Sequence, residues 1–232
     1  MLTFMSATIE VLPVLRSKEE ARRLYDQISG VYDLLAGPFE RKTAEMGLAR
    51  LSLGAGERVL EIGFGTGACL NQIAVSVGPA GRVYGIDLSM GMIEVARHRL
   101  RGTSMIGRTQ LFCGDGQALP FHSDVFDAVF MSFALELFDT PEIPRVLAEA
   151  GRVLTQEGRL GVVSMSREGE RGPLLRLYEW VHTKWPAYVD CRPIYPERFV
   201  EDAGFRIRSK ERVSMLGLPG EIIVASSGKG AA

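Results

Sequence analysis

The sequence predicts an α/β fold with a doubly wound, mostly parallel sheet that carries helices on both faces. Between about residues 58 and 165, short apolar segments alternate with segments of helical periodicity, which is typical of crossover units that join parallel strands. The apolar segments are nearly continuous, as expected for strands that are buried on both faces. A glycine cluster in "VLEIGFGTG", residues 59–67, follows the first segment and indicates a turn from strand to helix.

Length, charge and cysteine content limit the possible classes of protein. A chain of 232 residues is long enough for one substantial core. The formal net charge of −1 provides no basic surface, so nucleic acid is not expected as a partner. The three cysteines, Cys69, Cys113 and Cys191, lack the spacing of a disulfide framework or a zinc site, so we expect a cytoplasmic protein without a metal. Neither a signal peptide nor an integral membrane segment is expected, because no basic start or sufficiently long apolar run is present.

Two helices are predicted before the sheet. The segment "SKEEARRLYDQISGVYDLL" is predicted to form one helix, capped by Ser17 and carrying the acidic residues Glu19 and Glu20 in its first turn. A second helix is predicted over about residues 39–51, because apolar residues recur there at helical spacing and the segment ends at "SLGAG".

Strands and helices then alternate through the centre of the chain. The predicted strands are "RVLEIGF", "RVYGIDL", "TQLFCGD", "VFDAVFMSF" and "RLGVVSM". The predicted helices are "ACLNQIAVSVG", "SMGMIEVARHRLRG" and residues 141–154. The chain closes with the helix "PERFVEDAG" and the strands "FRIRSKERVSM" and "EIIVAS".

A long connection after Ser166 interrupts the alternation. The stretch "REGERGPLLRLYEWVHTKWPAYVDCRP" is longer than a usual connection, and such insertions are commonly functional. Its large apolar side chains are predicted to form a substrate lid, although a helix that packs on the sheet edge explains them too. They are Leu174, Leu175, Leu177, Tyr178, Trp180, Trp185 and Tyr188.

The glycine loop is predicted to hold a ligand. In an open α/β sheet, ligands bind beyond the carboxyl ends of the strands, where Gly63, Gly65 and Gly67 lie. The free N–H groups of the next helix favour an anion or a carboxylate there. Asp87, at the end of the second strand, is placed to accept hydrogen bonds from two ribose hydroxyls. Because Ala68 completes a dinucleotide fingerprint, a nicotinamide-dependent oxidoreductase is the first alternative.

Two further acidic positions favour a different nucleoside. Glu61 precedes the glycines on the first strand, where a buried carboxylate needs a partner such as a ligand ammonium group and would repel a pyrophosphate. Asp115 and Gly116, in "CGDGQALPF" after the third strand, place an acid and an open backbone near an adenine edge. A turn between strand and helix is the simpler explanation of these two residues.

Five motifs in order resemble those of the class I S-adenosylmethionine-dependent methyltransferases. They are "VLEIGFGTG", "VYGIDLSMGMIEVA", "CGDGQALPF", "FDAVFMSFALELF" and "RVLTQEGRLGVVS". With the upstream "YDQISGVYDLL", they are most similar to the UbiE/COQ5-like branch, over about residues 22–164. The resemblance implies a Rossmann-like, seven-stranded sheet whose last strand is antiparallel. The chain departs from the common pattern at "TQEGRL", which we predict to be a turn.

The resemblance also implies S-adenosyl-L-methionine as cofactor, S-adenosyl-L-homocysteine as product, and a set of binding residues. The methionine part would lie against Glu61, Gly63, Gly65 and Gly67, with Ser132 and Phe133 near the reacting methyl group. The nucleoside would lie against Asp87, Leu88, Met92, Asp115 and Gly116, and Tyr32 would close over the cofactor. We expect one domain over 1–232: a helical cap (1–53), a cofactor-binding core (54–165), a lid (166–195) and a C-terminal helix with strands (196–232).

Methyl transfer from a sulfonium is an in-line displacement with a neutral leaving group, so positioning can supply most of the catalysis. Tyr25, Tyr32 and Phe133 are candidates for cation–π contact with the sulfonium. A base is needed only if the acceptor must lose a proton, and Glu136 and His182 are the candidates. An exposed acid at a helix start and a packed or solvated histidine are their simpler explanations.

The expected acceptor is a small molecule, and an apolar or quinone-like compound is one candidate. The apolar residues of 1–15 would then contact a membrane peripherally, or form a packed arm. Asp190 is a third, weaker base candidate, which a structural pairing with Arg192 would also explain. A cofactor-binding protein without catalysis is the second alternative function. For the oligomeric state, the sequence is compatible with a monomer and with a homodimer.

Overall fold

A seven-stranded sheet runs through the structure, a computed structural model that describes residues 11–14, 16–35, 37–101, 103, 105–168, 172–184 and 191–230. The strand order is β3-β2-β1-β4-β5-β7-β6. The strands are β1 (Arg58–Ile62), β2 (Arg82–Asp87), β3 (Thr109–Cys113), β4 (Phe126–Ser132), β5 (Leu154–Met165), β6 (Arg206–Met215) and β7 (Leu218–Ser226). Strands β1 to β5 pair in parallel, and β7 is antiparallel to both β5 and β6. The predicted mostly parallel sheet with an antiparallel last strand is confirmed.

Helices cover both faces of this sheet, as predicted. They are α1 (Lys18–Ile28), α2 (Tyr32–Leu35), α3 (Gly37–Leu51), α4 (Ala68–Ser76), α5 (Met90–Leu100), α6 (Ile143–Val153), α7 (Pro173–Lys184) and α8 (Pro196–Asp202). One core cluster joins the sheet to α6 and α8, for example through Val146 and Phe199. A second cluster joins the other face to α3, α4 and α5, for example through Leu48, Ile73 and Ile93.

The sheet order places a crevice at the carboxyl end of β1. Strand β1 lies between β2 and β4, so the connections on its two sides run to opposite faces of the sheet. Such a switch point is where doubly wound sheets bind their ligands. The glycine loop follows β1 at this point.

The N-terminal helix is broken, contrary to the prediction of one continuous helix. The capping box at its start, between Ser17 and Glu20, is present, but α1 ends at Ile28 and α2 begins at Tyr32. Gly30 lies in the turn between them, and glycine is a poor helix former. The break turns α2 toward the glycine loop, where Asp33 finds its partners.

The predicted turn at "TQEGRL" is part of strand β5 in the structure. Pairing with β4 jumps from Phe126↔Leu154 to Ala128↔Arg159, so the segment bulges within one strand. Two of its carbonyl groups find a partner in Ser227, which directly follows β7: the Ser227 hydroxyl donates to the carbonyls of Thr155 and Gln156 at 3.1 and 2.8 Å. A short polar sequence does not reveal this partner, because it lies about 70 residues further along the chain.

Some predictions concern residues outside the described ranges. These are the side chains of Trp185, Tyr188 and Asp190 and most of the N-terminal segment 1–15. Within the part of the chain that the structure describes, no helix is long and apolar enough to cross a membrane.

Candidate functional site

The glycine loop connects β1 to α4, and its glycines are required by geometry. Gly63, Gly65 and Gly67 have φ values of 72°, 53° and 78°, a region that other residues rarely adopt. A β-carbon at Gly63 would lie 2.5 Å from the β-carbon of Ala134, whereas one at Gly65 would meet nothing within 4 Å. The loop therefore packs tightly on the segment after β4 at Gly63 and stays open at Gly65.

One cavity of about 960 Å³ lies over the carboxyl ends of β1, β2 and β4. Most of the predicted cofactor residues line it: Tyr32, Glu61, Gly63, Gly65, Asp87, Leu88, Met92, Asp115, Gly116, Ser132 and Phe133. Gly67 does not. It is the N-cap of α4, and a β-carbon there would lie 2.8 Å from the β-carbon of Ala96, so packing explains this glycine.

Glu61 is buried at the floor of the cavity and lacks a full set of partners. Its side chain is 2% exposed, and its Oε2 atom has no hydrogen-bond partner within the described residues. Burial raises the pKa of this carboxyl well above its usual range and nearby Asp87 raises it further, while a hydrogen bond from the Cys69 thiol lowers it. A buried, unsatisfied carboxyl fits a ligand that brings a cation, such as an α-ammonium group.

Asp87 joins the end of β2 to the glycine loop. Its Oδ2 accepts from the backbone N–H of Gly65 and its Oδ1 from that of Ser89, both at 2.9 Å. Burial raises the pKa of Asp87, and these backbone donors partly offset the effect. A carboxylate has about four acceptor positions, so both oxygens keep capacity for two hydroxyl groups.

Asp115 is engaged by a residue that the sequence reasoning missed. The Nζ of Lys18, at the start of α1, lies 2.5 Å from Asp115 Oδ2 and 3.1 Å from Glu142 Oε1. Burial lowers the pKa of Lys18, but the two carboxylates outweigh it, so the pKa is raised. All three residues line the cavity. Lys18 therefore lies at the predicted adenine end of the cavity, and nothing in "SKEEARR" indicated its partner.

Two aspartates hold the N-terminal helices over the cavity. Asp26 of α1 accepts from the Ser89 hydroxyl at 2.6 Å and from the Gly91 N–H at 2.9 Å. Asp33 of α2 accepts from the Thr66 hydroxyl at 2.6 Å and pairs with Arg99. Each contact joins the cap to a loop or helix next to the predicted cofactor residues.

The three aromatic candidates, Tyr25, Tyr32 and Phe133, all line the cavity, as their predicted contact with the sulfonium requires. The rings of Tyr25 and Tyr32 are 6.1 Å apart and tilted by 60°. Phe133 follows β4 with a φ of 51° and donates its N–H to the Val163 carbonyl at 2.8 Å. This left-handed conformation at a non-glycine residue is costly, and the packing around it holds the ring at the cavity wall.

The two candidate bases do not line this cavity. Glu136 lies in the short helical turn Leu135–Leu137 and is fully buried, so the simpler explanation of an exposed acid is wrong. Its Oε1 accepts from the Met165 N–H at 3.0 Å. His182 is buried on α7, and no described side chain of the predicted lid, 166–195, lines the cavity. Their catalytic roles and the lid stay predictions.

Replacing Glu136 by glutamine should flatten the dependence of stability on pH. Burial raises the pKa of Glu136 from 4.5 to about 7, so the folded state binds this proton more tightly than the unfolded state. The stabilisation that this bound proton gives the folded state is fully present below about pH 4.5 and is lost as the pH rises through 7. The free energy of unfolding therefore falls by roughly 3 kcal/mol over this range. Urea unfolding between about pH 5 and 8 measures it. Glu157→Gln, at an exposed acid, is the control, and an unchanged slope in Glu136→Gln would contradict the prediction.

Arg192 has several partners within the described residues, whereas its predicted pairing with Asp190 stays a prediction because Asp190 lies outside them. Its guanidinium, fully buried, donates to the carbonyl oxygens of Leu12 at 2.6 Å, Phe138 at 2.5 Å and Glu136 at 3.1 Å. It also donates to the Thr140 hydroxyl at 3.0 Å. Arg192 thus holds together the N-terminal segment, the loop after β4 and the segment before α8.

Comparisons with known proteins agree with this geometry. The family described as "Methyltransferase domain" matches residues 59–158. A demethylmenaquinone methyltransferase of Symbiobacterium thermophilum is 30% identical over 235 residues, which cover 88% of this chain and 92% of that protein. A 2-phytyl-1,4-naphtoquinone methyltransferase of Synechococcus elongatus is 32% identical over 163 residues, 68% of each chain.

A solved structure shares the fold at lower sequence identity. The crystal structure of the [4+2]-cyclase SpnF superposes with a TM-score of 0.73 at 21% identity, and the match covers 96% of this chain and 99% of that one. The similarity therefore extends beyond the glycine loop to the N-terminal helices and the C-terminal strands.

Proposed function

Since the chain belongs to the class I S-adenosylmethionine-dependent methyltransferases, in the UbiE-like branch, we propose that the molecule it methylates is a small quinone-like compound in its reduced form. The activity itself is methyl transfer from S-adenosylmethionine to a small molecule. The nicotinamide-dependent oxidoreductase and the inactive binding protein are not favoured, because the matching family and these relatives are methyltransferases.

The cavity residues suit this cofactor at both of its ends. We propose that Glu61 binds the α-ammonium group, which the unsatisfied Oε2 atom supports. Asp87 would accept hydrogen bonds from the ribose hydroxyls. Asp115, beside Lys18, would accept a hydrogen bond from the adenine amino group. Gly65 would let the ligand approach the backbone, since no side chain occupies the space next to it.

The cofactor, when bound, supplies a methyl group on a positively charged sulfur. Side chains of the protein have three tasks around it: to hold the acceptor in line, to exclude water and to face the charge with aromatic rings. Alignment contributes most, because well-oriented groups react as if at very high concentration. Tyr25, Tyr32 and Phe133 line the same cavity, and each ring that faces the sulfonium contributes about 0.5–2 kcal/mol.

An acceptor hydroxyl that must lose its proton needs a base within hydrogen-bonding reach. Asp139 and Glu142 line the cavity, whereas Glu136 and His182 do not. We therefore propose a cavity carboxylate as the direct proton acceptor. Glu136 would act at most through the loop it supports.

One observation carries the choice of acceptor: apolar and aromatic side chains line the same cavity as the glycine loop. They include Val14, Tyr25, Phe133, Leu137 and Phe138, and a flat apolar ring can pack against such side chains. The relatives named for demethylmenaquinone and 2-phytyl-1,4-naphtoquinone support the same class. We also propose a cytoplasmic location, because Cys69, Cys113 and Cys191 form no disulfide bonds within the described residues.

Incubation of the purified chain with methyl-labelled S-adenosylmethionine and a prenylated naphthoquinone tests the acceptor. We expect label in the product only when the quinone is first reduced, because the reduced ring is the electron-rich nucleophile. The oxidised quinone, a simple catechol and the Asp87→Ala variant are the controls. Binding of the cofactor without transfer to any reduced quinone would contradict the proposed acceptor.

A further inference from the structure

One face of α7 exposes large apolar side chains. Leu174, Leu177 and Trp180 are 42%, 54% and 52% exposed, and their spacing of three residues places them on the same side of the helix. Leu175 and His182, on the other side, are buried against the protein. The helix is thus apolar on the side that faces water as well as on the side that packs.

A leucine at the neighbouring hairpin tip extends this face. Met215 pairs with Leu218, so Leu216 and Gly217 form a two-residue loop, with φ values of 52° and 88°. Such loops favour Asn-Gly, yet Leu216 is present and 69% exposed. A β-carbon on Gly217 would lie 2.9 Å from a methyl carbon of Leu174, so the hairpin touches α7. We call Leu174, Leu177, Trp180 and Leu216 the apolar patch.

The charges beside the apolar patch are positive. Arg176 and Lys184 of α7 are exposed, one turn before and one turn after Trp180. The acidic residue of this helix, Glu179, is mostly buried and pairs with Arg167 at 3.1 Å. The described residues of α7 therefore present cations and apolar groups to the outside, and no exposed carboxylate.

The apolar patch lies at the ligand-binding end of the sheet. Gly220 of β7 pairs with Met165 at the carboxyl end of β5, so the β6–β7 hairpin projects from the same end as the cavity. A surface that contacts the apolar patch would therefore lie at the same end of the sheet as the cavity.

We propose that the apolar patch docks the protein onto the surface of a membrane that contains anionic lipid. A helix with leucine and tryptophan on one face and basic residues beside them is suited to the interface between headgroups and acyl chains. The exposed cations complement anionic headgroups. The docking depends only on α7 and the hairpin; that it delivers an apolar acceptor to the cavity rests on the proposed function.

Flotation with phosphatidylcholine vesicles, with and without phosphatidylglycerol, tests the docking on the full chain. The wild type should float with the anionic vesicles. The double variant Leu177→Gln/Trp180→Gln should bind the anionic vesicles at least about tenfold more weakly than the wild type. Arg176→Gln/Lys184→Gln should lose about tenfold on anionic vesicles only. Val75→Gln makes the same kind of change at an exposed residue of α4 and should stay within about twofold of the wild type.

Leu216→Asn separates docking from folding. Asparagine suits the left-handed turn better than leucine, so this variant should be at least as stable as the wild type and still bind vesicles more weakly. Failure of the wild type to float, or equal flotation of the patch variants, would overturn the proposal. So would a lipid-free dimer that these variants dissociate, because the patch would then bind a second copy. Flotation needs neither cofactor nor acceptor, so a wrong acceptor would leave its result unchanged.

Discussion

Replacing Asp87 by alanine is expected to weaken the binding of S-adenosylmethionine by about 100-fold or more. Two hydrogen bonds from ribose hydroxyls to a carboxylate contribute about 1.5–3 kcal/mol each, and about 1.4 kcal/mol corresponds to a tenfold change in affinity. The same substitution leaves the N–H groups of Gly65 and Ser89 without their acceptor, which loosens the glycine loop. Isothermal titration calorimetry with the wild type and the variant measures the loss.

A second variant distinguishes the two ends of the cofactor. Methylthioadenosine keeps the ribose and adenine but lacks the ammonium and carboxylate groups. Asp87→Ala should weaken both ligands, whereas Glu61→Gln should weaken S-adenosylmethionine and leave methylthioadenosine nearly unchanged. If Asp87→Ala binds S-adenosylmethionine within about threefold of the wild type while remaining folded, Asp87 does not hold the ribose.

Arg192→Ala should lower the free energy of unfolding by about 3–5 kcal/mol. The substitution removes four hydrogen bonds from a buried guanidinium and leaves their acceptors in the interior. Hydrogen bonds to charged groups and unsatisfied buried acceptors each contribute in the range of about 1–3 kcal/mol, partly offset because a buried charge is lost. Urea unfolding at constant pH measures the change.

The control for this substitution is an arginine in water. Arg206→Ala, at an exposed position of β6, should change the free energy of unfolding by less than about 0.5 kcal/mol. Arg192→Lys should fall between the wild type and alanine, because a lysine reaches fewer of the four acceptors. A loss below about 1 kcal/mol in Arg192→Ala would show that the three segments do not depend on this side chain.

Much of the fold could be predicted because its signals are local. Continuous apolar runs identified β1 to β5, and the glycines of residues 63–67 identified the turn that follows β1. Apart from Tyr32 on α2, the residues implied for the cofactor gather in one cavity because they lie at or after the carboxyl ends of parallel strands. Such ends meet at one edge of a sheet. Gly67 is the exception: its spacing resembles a ligand contact, but its missing β-carbon makes room for Ala96.

Burial and long-range pairing were not predictable in the same way. Glu136 in "FALELF" has the local sequence of an exposed acid, and only the packing of the loop after β4 against β5 shows that it is buried. Lys18 and Asp115 meet although 97 residues separate them, and Arg192 reaches Leu12 across 180 residues. Tyr32 lies at the cavity, as the family resemblance implies, whereas no local pattern indicated that Asp26 and Asp33 hold the cap in place.

The order of residues alone was enough to predict the parallel sheet and the glycine loop, since hydrophobic periodicity and backbone freedom are properties of short segments. The class of cofactor followed only from the resemblance of five ordered motifs to a known family. The tertiary structure decided which charges meet, which carboxyls are buried, and that α7 turns Leu177 and Trp180 outward rather than into the cavity. These outcomes depend on how segments far apart in the chain pack together. A side chain's solvation, and therefore its pKa and its availability to a ligand, is set by that packing.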